Sequence, residues 1–259
     1  MNRRTFALTS AGAAAASGAP PASQPGIIQL TMVRLRNSAD GQSQRISEFL
    51  KSVMAPAFQR NGVGPFGFFR NLIGGAEGPF VMTLAAYPSL AAMEAAGEKL
   101  AGDAEYRKGG EAFDALPGLS YMRIESTLLR GFATMPAIEV PPGDAKRPAR
   151  IFEIRTYESN NSTTLRRKIK MFDDGEIAVF RKVGMQPVFF GQTFVGRNMP
   201  NLTYMLGYDD LAHRDKTWRA FGSDPDWQKL RALPGLSDAE VVSNITNFLV
   251  SPLPFSPIR

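Results

Sequence analysis

The sequence predicts an α+β fold in which one β-α-β-β-α-β unit occurs twice, and three observations predict it. The hexapeptide ALPGLS stands at 115–120 and again at 232–237. Longer matches precede it at a separation of 121 or 122 residues, against 117 at the hexapeptide. A proline-rich stretch lies between the copies. A nearly constant offset that changes in small steps indicates a duplicated domain with short loop deletions.

Three pairs of segments carry this correspondence ahead of the hexapeptide. They are GVGPFGFF at 62–69 with GMQPVFF at 184–190, LAAYPSL at 84–90 with MLGYDDL at 205–211, and DAEY at 103–106 with DPDW at 224–227. Because the pairs keep their order, we interpret ALPGLS as part of a copied domain and not as a catalytic motif.

The periodicity of apolar residues changes in a regular order within each copy. In the first copy, residues 27–35 alternate as in a strand, and apolar residues from Ile46 to Phe58 recur at helical spacing. Strands are predicted at 66–73 and 80–87, separated by glycine and proline. Ser89 is the predicted N-cap of a second helix, which ALPGLS ends before a last strand at 121–129. The second copy repeats this order over 151–249, which makes each copy a ferredoxin-like unit.

Such a unit covers one face of its sheet with helices and leaves the other face bare. Two copies in one chain are therefore expected to press their bare faces together and form an intramolecular dimeric α/β barrel. Continuous apolar strands such as VMTLAA at 81–86 fit burial on both faces. The predicted organisation is a signal and spacer at 1–26, domains at 27–134 and 150–250, a proline-rich linker at 135–149 and an extended tail at 251–259.

The N-terminus predicts export. Arg3 and Arg4 precede an alanine-rich stretch and a Pro/Ser/Gly spacer, which is typical of a signal read by the twin-arginine machinery. A disordered alanine-rich tail is the alternative. A periplasmic or otherwise exported protein is therefore expected. No window holds the roughly 18 uninterrupted apolar residues of a membrane span.

Composition excludes several function classes. The formal charge is +6 and the longest basic run is RRK at 166–168, so nucleic acid is not an expected partner. The chain has no cysteine, which excludes disulfides, thiolate metal sites and cysteine nucleophiles. His213, the one histidine, follows Leu211 by two residues on a predicted helix and is expected to face solvent. The carboxylates of DDGE at 173–176 lack calcium-loop spacing and are interpreted as a helix kink or cap. No metal and no cofactor is expected.

The predicted first strand of the second copy carries the strongest candidate chemistry. Alternation places Glu153, Arg155 and Tyr157 on one face and three less polar residues on the other. If the less polar face meets the helices, the polar face lies in the barrel interior or at its mouth. There Arg155 would bind an anionic or enolic oxygen, Glu153 would act as a base and Tyr157 as a donor. The alternative is a structural ion pair, since an unpaired buried charge is costly.

Further candidate ligand-binding residues lie on other strands. Arg123 and Glu125 share a face in the first copy. Extending the hexapeptide offset aligns Glu240 and Asn244 with Arg123 and Thr127. Tyr204 and Tyr208, four residues apart in the predicted third strand of the second copy, share a face. The candidates are Arg123, Glu125, Tyr204, Tyr208, Glu240 and Asn244.

The second copy also resembles a known family. The segments IFEIRTY at 151–157, GEIA at 175–178, RKVGMQP at 181–187, YDDLA at 208–212 and DPDW at 224–227 are similar in order and spacing to NIPSNAP proteins. The resemblance implies the dimeric α/β-barrel fold, shared with cofactor-independent monooxygenases of antibiotic biosynthesis and with haem-binding chlorite dismutases. It implies no agreed reaction. The first copy departs from the pattern, because IQLTMV at 28–33 lacks the acid, the base and the phenol.

We therefore expect an exported protein that binds a small organic molecule in an α/β barrel. As an enzyme it would perform cofactor-independent oxygenase or isomerase chemistry, with Glu153 or a tyrosine deprotonating the substrate and Arg155 stabilising the anion. The alternatives are a non-catalytic periplasmic binding module and an assembly module that pairs through its helices. Homo-oligomer formation remains open.

Overall fold

The computed structural model describes residues 25–37, 40–75, 78–142 and 148–259. Most of the predicted export signal, residues 1–24, and part of the predicted linker, residues 143–147, lie outside the described residues. The N-terminal signal therefore stays a prediction.

The first half consists of four strands with two helical segments against them. The strands are β1 (Ile27–Arg34), β2 (Phe66–Ile73), β3 (Phe80–Tyr87) and β4 (Arg123–Gly131). Helices α1 (Gln42–Phe49) and α2 (Ala55–Arg60) are joined by a π-helical turn at Leu50–Met54, and α3 (Leu90–Gly102) is followed by α4 (Ala104–Asp114). Ser89 caps α3 as predicted, by accepting a hydrogen bond from the amide of Ala92. The predicted single second helix is in fact divided, because Asp103 adopts an extended backbone and caps α4.

The second half repeats this order of elements. Its strands are β5 (Ile151–Glu158), β6 (Gln186–Val195), β7 (Asn201–Tyr208) and β8 (Asn244–Pro252). Its helices are α5 (Ser162–Met171), α6 (Ile177–Lys182), α7 (Leu211–Ser223), α8 (Pro225–Arg231) and α9 (Asp238–Val241). A π-helical turn at Phe172–Glu176 joins α5 to α6, as in the first half.

Two helices explain the changing offset between the copies. Helix α8 has 7 residues where its counterpart α4 has 11, which brings the second ALPGLS closer to the first. The 4 residues of α9, which has no counterpart in the described first half, then restore the separation. As a result Arg123 of β4 lies opposite Arg34, and Asn244 of β8 lies opposite Glu158.

The eight strands form a closed barrel in the order β1-β3-β2-β8-β5-β7-β6-β4. All neighbouring pairs are antiparallel, and the halves meet where β2 pairs with β8 and β4 pairs with β6. The prediction of two fused units that form one α/β barrel is confirmed. Each half also has an apolar core of its own between sheet and helices.

The barrel interior is apolar, and the linker and tail close one end of it. Interior residues include Leu30 and Leu84 from the first half and Ile154 from the second. Ile138 of the linker and Ile258 of the tail join this cluster, with Ile258 0% exposed. Arg150, just before β5, donates to the carbonyl oxygens of Pro142 and Arg259 and so connects both closing segments.

Within the described ranges, no helix combines the length and apolar character needed to cross a membrane.

Candidate functional site

Glu153, Arg155 and Tyr157 share one face of β5, as predicted, but this face meets the helices. Tyr157 belongs to the core between sheet and helices, whereas Phe152 and Ile154 pack inside the barrel. The expectation that the polar residues face the barrel interior or its mouth is therefore wrong. Both faces of this sheet are buried, so alternation fixes which residues share a face but not which face is turned inward.

Glu153 is 0% exposed and accepts six hydrogen bonds, three on each carboxylate oxygen. The donors to Oε1 are Arg155 Nη1 at 2.9 Å, Arg214 Nη2 at 2.7 Å and Asn247 Nδ2 at 2.7 Å, and those to Oε2 are Arg214 Nε at 2.9 Å, Trp218 Nε1 at 3.0 Å and Tyr208 OH at 3.3 Å. A carboxylate has about four lone-pair sites. Glu153 therefore has no acceptor site left for a substrate proton.

The charges around Glu153 keep it ionised. Burial raises the pKa of Glu153, but the hydrogen bond from Arg214 and the charges of Arg155 and Arg214 outweigh burial and leave the pKa below its ordinary value. The pKa of Arg214 is raised by its hydrogen bond to Glu153. A general base works best with a pKa near the working pH, so this carboxylate is poorly suited to that role.

Aromatic side chains enclose the rest of the polar face. Tyr204 OH donates to Tyr157 OH at 2.8 Å, and Arg155 Nη2 donates to the same oxygen at 3.3 Å. The Arg155 guanidinium lies over the Trp218 ring at 4.5 Å. Burial raises the pKa of Tyr204 well above its ordinary value and also raises that of Tyr208. This geometry favours the alternative interpretation, a structural ion network.

A second buried ion pair lies beside this network and was missed from the sequence. Lys168, the last residue of the basic run RRK, is 0% exposed and donates to Glu176 Oε2 at 3.1 Å. Glu176 therefore does not belong to a solvated cap. The other two carboxylates of the DDGE run bond elsewhere, Asp173 to Thr134 and Asp174 to Lys170. The described residues contain no group of three or more side chains arranged to hold a metal ion.

The structure separates the remaining candidates into different places. Tyr204 and Tyr208 belong to the network of Glu153, whereas Arg123 and Glu125 form an ion pair at the start of β4. Asn244 donates to Glu158 and occupies the position equivalent to Arg123. Glu240 lies in α9, where it completes a capping box with Ser237. Its alignment with Arg123 is wrong, because the four residues of α9 shift the register.

His213 is half-buried, not fully exposed as predicted. Its Nδ1 accepts a hydrogen bond from the amide of Asp209 at 3.1 Å, and its ring meets Tyr208 edge-on. The imidazole is thus partly covered at the start of α7 and partly exposed to solvent.

The equivalent face of the first half is open where the second half is filled. Gln29, Thr31 and Val33 of β1 take the places of Glu153, Arg155 and Tyr157. Thr83, opposite Thr31, takes the place of Tyr204, which lies opposite Arg155. On the covering helices, the eighth residue is Gly97 in α3 and Trp218 in α7. These smaller side chains leave a cavity of about 360 Å³ between the first sheet and its helices.

The walls of this cavity are mainly apolar, with a few hydroxyl and amide groups. Phe49, Leu50, Phe58, Leu100 and Phe113 contribute apolar surface. Tyr87 OH donates to Gln29 Oε1 at 3.2 Å, and burial raises the pKa of both Tyr87 and Tyr106. None of the described lining residues carries a charge. The pattern of charged residues in the sequence does not reveal this cavity; its signal is the loss of side-chain bulk at aligned positions, above all Gly97 in place of Trp218.

Residues 152–257, from β5 into the tail, match the family model of NIPSNAP. This match identifies a NIPSNAP domain in the second half of the chain. The matched residues include the ion network of Glu153. They do not include the residues that line the cavity, which all belong to the first half.

Three solved structures share the fold of the whole chain. The "putative monooxygenase" of Fusobacterium nucleatum aligns with TM-score 0.58 and 9% identity, over 89% of this chain and 93% of that one. The "putative monooxygenase" of Lactobacillus acidophilus aligns with TM-score 0.57 and 9% identity, over 88% and 94%. An "anthrone oxidase-like protein" aligns with TM-score 0.52 and 11% identity, over 90% and 93%. At such identities the likeness shows the fold alone. No curated protein matches the chain.

The space between sheet and helices thus differs between the NIPSNAP domain and the half before it. In the NIPSNAP domain the space is occupied by the protein's own arginines, tyrosines and Trp218. In the first half the same space is open, and its residues could hold a small molecule but not an ion without a counter-charge.

Proposed function

We propose that the protein binds a small, uncharged and largely apolar organic molecule in the cavity of its first half. The observation that carries the proposal is this cavity of about 360 Å³, built where the NIPSNAP domain has bulky side chains. Ligand pockets in proteins commonly enclose about 300–1,000 Å³ and combine apolar walls with a few oriented polar groups.

The lining indicates which molecule fits. Because Tyr87 donates its proton to Gln29, the Gln29 amide nitrogen remains as a donor and the Tyr87 oxygen as an acceptor. Tyrosine phenols are protonated near neutral pH, and burial raises the pKa of Tyr87 and Tyr106 further. A charged ligand would lose its hydration without gaining a counter-ion. A molecule with an apolar body and one carbonyl or hydroxyl group matches this surface.

The test is to fill the cavity with the side chain found in the NIPSNAP domain. A Cβ at Gly97 meets no atom within 4 Å, so Gly97→Trp places an indole in the cavity without a backbone clash. Binding of the neutral fluorescent probe N-phenyl-1-naphthylamine should weaken at least about tenfold. Gly102→Trp, on the same helix but outside the lining, is the matched control. Equal binding by the wild type and Gly97→Trp would overturn the proposal.

Cofactor-independent oxygenase or isomerase chemistry is a second candidate, supported by the names of the three structures that share the fold. The described cavity lining offers no carboxylate and no imidazole to accept a proton, so the substrate would have to ionise by its own acidity. Oxygen uptake in the presence of 1-naphthol, above the rate without protein and abolished by Gly97→Trp, would establish oxygenation. Bound but unchanged 1-naphthol would leave binding as the function.

Export is part of the proposal and is supported by Arg3, Arg4 and the segment that follows them. A reporter fused behind residues 1–26 should reach the periplasm of a twin-arginine-competent host. Arg3→Lys combined with Arg4→Lys should retain it in the cytoplasm. Export that survives both substitutions would contradict this route.

A further inference from the structure

The barrel has a polar end opposite the end closed by the linker and tail. Where β1 and β5 finish, a cavity of about 400 Å³ opens between strands of both halves. Above Leu30 and Met32, five strands each contribute one threonine. These are Thr127 of β4, Thr156 of β5, Thr193 of β6, Thr203 of β7 and Thr246 of β8. We call this space the mouth cavity.

The mouth cavity is separate from the first-half cavity, although β1 contributes to both. Alternation along the strand places Thr31 and Val33 in the first-half cavity, and Leu30 and Met32 in the mouth cavity. The two spaces therefore lie on opposite faces of one sheet, and a substitution can address one without lining the other.

Two buried polar atoms in the wall of the mouth cavity have no hydrogen-bond partner in the described part of the chain. They are Thr193 Oγ1 and Asn201 Oδ1, and each residue is only 2% exposed. The Asn201 amide group donates to the carbonyl oxygens of Arg197 at 2.8 Å and Asn198 at 2.9 Å. These two bonds fix its orientation and leave Oδ1 as the acceptor. Unpaired buried polar atoms are costly, so they indicate a place where a ligand completes the bonding.

The other polar groups around the mouth cavity include hydroxyls and charged side chains that bond to one another. The hydroxyls of Thr156 and Thr203 bond to each other at 2.8 Å. Glu125 at the rim accepts hydrogen bonds from three arginines, Arg34 Nε at 3.1 Å, Arg197 Nη2 at 3.1 Å and Arg123 Nε at 2.6 Å, so these charges form one ion cluster. At Gly196 a side chain would meet the methyl groups of Thr127 and Thr193 at 2.9 Å, which shows how closely the backbone approaches the threonines there.

We propose that the mouth cavity binds a small uncharged molecule with several hydroxyl groups, of the monosaccharide or cyclic polyol class. Hydroxyls donate and accept, as threonine hydroxyls do, so such a molecule can bond to successive threonines around the barrel. It can also donate to Asn201 Oδ1 and pair with Thr193. Arg34 and Arg197 at the rim are each bonded to Glu125, so a hydroxyl compound needs no charge of its own to bind beside them.

To test this, the full chain is titrated with glycerol, glucose and myo-inositol. Calorimetry and amide chemical shifts measure binding. Binding should change the chemical shifts of the backbone amides of β6 and β7 around the mouth cavity. Thr193→Val removes the unpartnered hydroxyl and should weaken binding at least about tenfold. Since that hydroxyl bonds to no atom of the described residues, the ligand-free variant should melt at the same temperature as the wild type or higher.

Thr217→Val is the matched control, because Thr217 is also buried but its hydroxyl donates within α7 to the carbonyls of His213 and Arg214. It should leave polyol affinity unchanged, as should Gly97→Trp, which separates this inference from the proposed function. Failure of all three probes to bind the wild type would overturn the inference. Binding that Thr193→Val leaves unchanged would overturn it equally.

Discussion

Gln29 and Glu153 occupy equivalent positions in the two halves and have opposite surroundings. Glu153 carries a charge, and two arginines, an asparagine, an indole and a tyrosine satisfy it. Gln29 has the same shape without the charge and accepts one hydrogen bond, from Tyr87. A buried carboxylate requires counter-charges, whereas a carboxamide does not. With glutamine in place of glutamate, the first half needs no arginines as counter-charges. It therefore also lacks the bulky side chains that fill the equivalent space in the second half.

Glu153→Gln should destabilise the protein by about 3–5 kcal/mol at neutral pH, because Arg155 and Arg214 would lose their buried counter-charge. Urea unfolding followed by circular dichroism measures the change. Glu240→Gln is the control, because Glu240 is an exposed capping-box residue and glutamine serves that position too. A loss below about 1 kcal/mol for Glu153→Gln would show that the network is not a structural ion pair.

The same variant gives a pH test. The folded-state pKa of Glu153 lies below its ordinary value of 4.5, so its ionised form stabilises the protein above that pH. The stabilisation is lost as pH falls through the lowered folded pKa. The difference in unfolding free energy between the wild type and Glu153→Gln should therefore be constant from pH 7 to about 5.5 and shrink below the ordinary value. A difference that stays constant to pH 3 would contradict this assignment.

At the scale of elements, α3 and α7 show how one helix position opens or closes a site. Both helices have 13 residues and begin at a side-chain N-cap, Ser89 and Asp210. Their eighth residues point at equivalent parts of the sheet, but only Trp218 reaches Glu153, Arg155 and the ring of Phe180. The helices keep their length and caps while the space beneath them changes.

Trp218 should therefore contribute both packing and a hydrogen bond, and two variants separate them. Trp218→Phe keeps an aromatic ring but removes the donor to Glu153 Oε2, with an expected cost of about 1–3 kcal/mol. Trp218→Ala also removes the packing and should cost about 3–5 kcal/mol. Equal losses for both variants, measured by urea unfolding, would show that the ring packing adds nothing.

At the scale of the molecule, the repeat and the periodicity were sufficient to predict two fused units and a barrel. Each strand has its own apolar pattern, and the hexapeptide aligns the copies. The orientation of β5 could not be predicted, because both faces of that sheet are buried and Glu153 satisfies its charge on the helix side. The last-strand alignment failed because α9 has no counterpart in the described first half. The first-half cavity arises from missing bulk at Gly97 and Thr83, which charged-residue patterns do not show.

The closed barrel also predicts how the molecule unfolds. Strand pairs β2–β8 and β4–β6 join the halves, and the inner faces of both sheets form one cluster. Neither half can expose its inner face without breaking this cluster. We therefore expect a single cooperative transition, in which tryptophan fluorescence, which reports on the second half alone, and circular dichroism change together. Two separate transitions would contradict a shared core.

The tail is part of that shared core, and its contribution can be measured with two adjacent residues. Ile258 is 0% exposed and packs in the barrel cluster against β2, so Ile258→Ala should cost about 2–5 kcal/mol and retain a single transition. Arg259→Ala is the control, since Arg150 bonds to the main-chain oxygen of Arg259, and the hydrogen bond from the Arg259 side chain to the Pro254 carbonyl is exposed. That variant should change stability by less than about 0.5 kcal/mol. If Ile258→Ala were equally neutral, the tail would not close the barrel, and the mouth cavity would no longer be its single open end among the described residues.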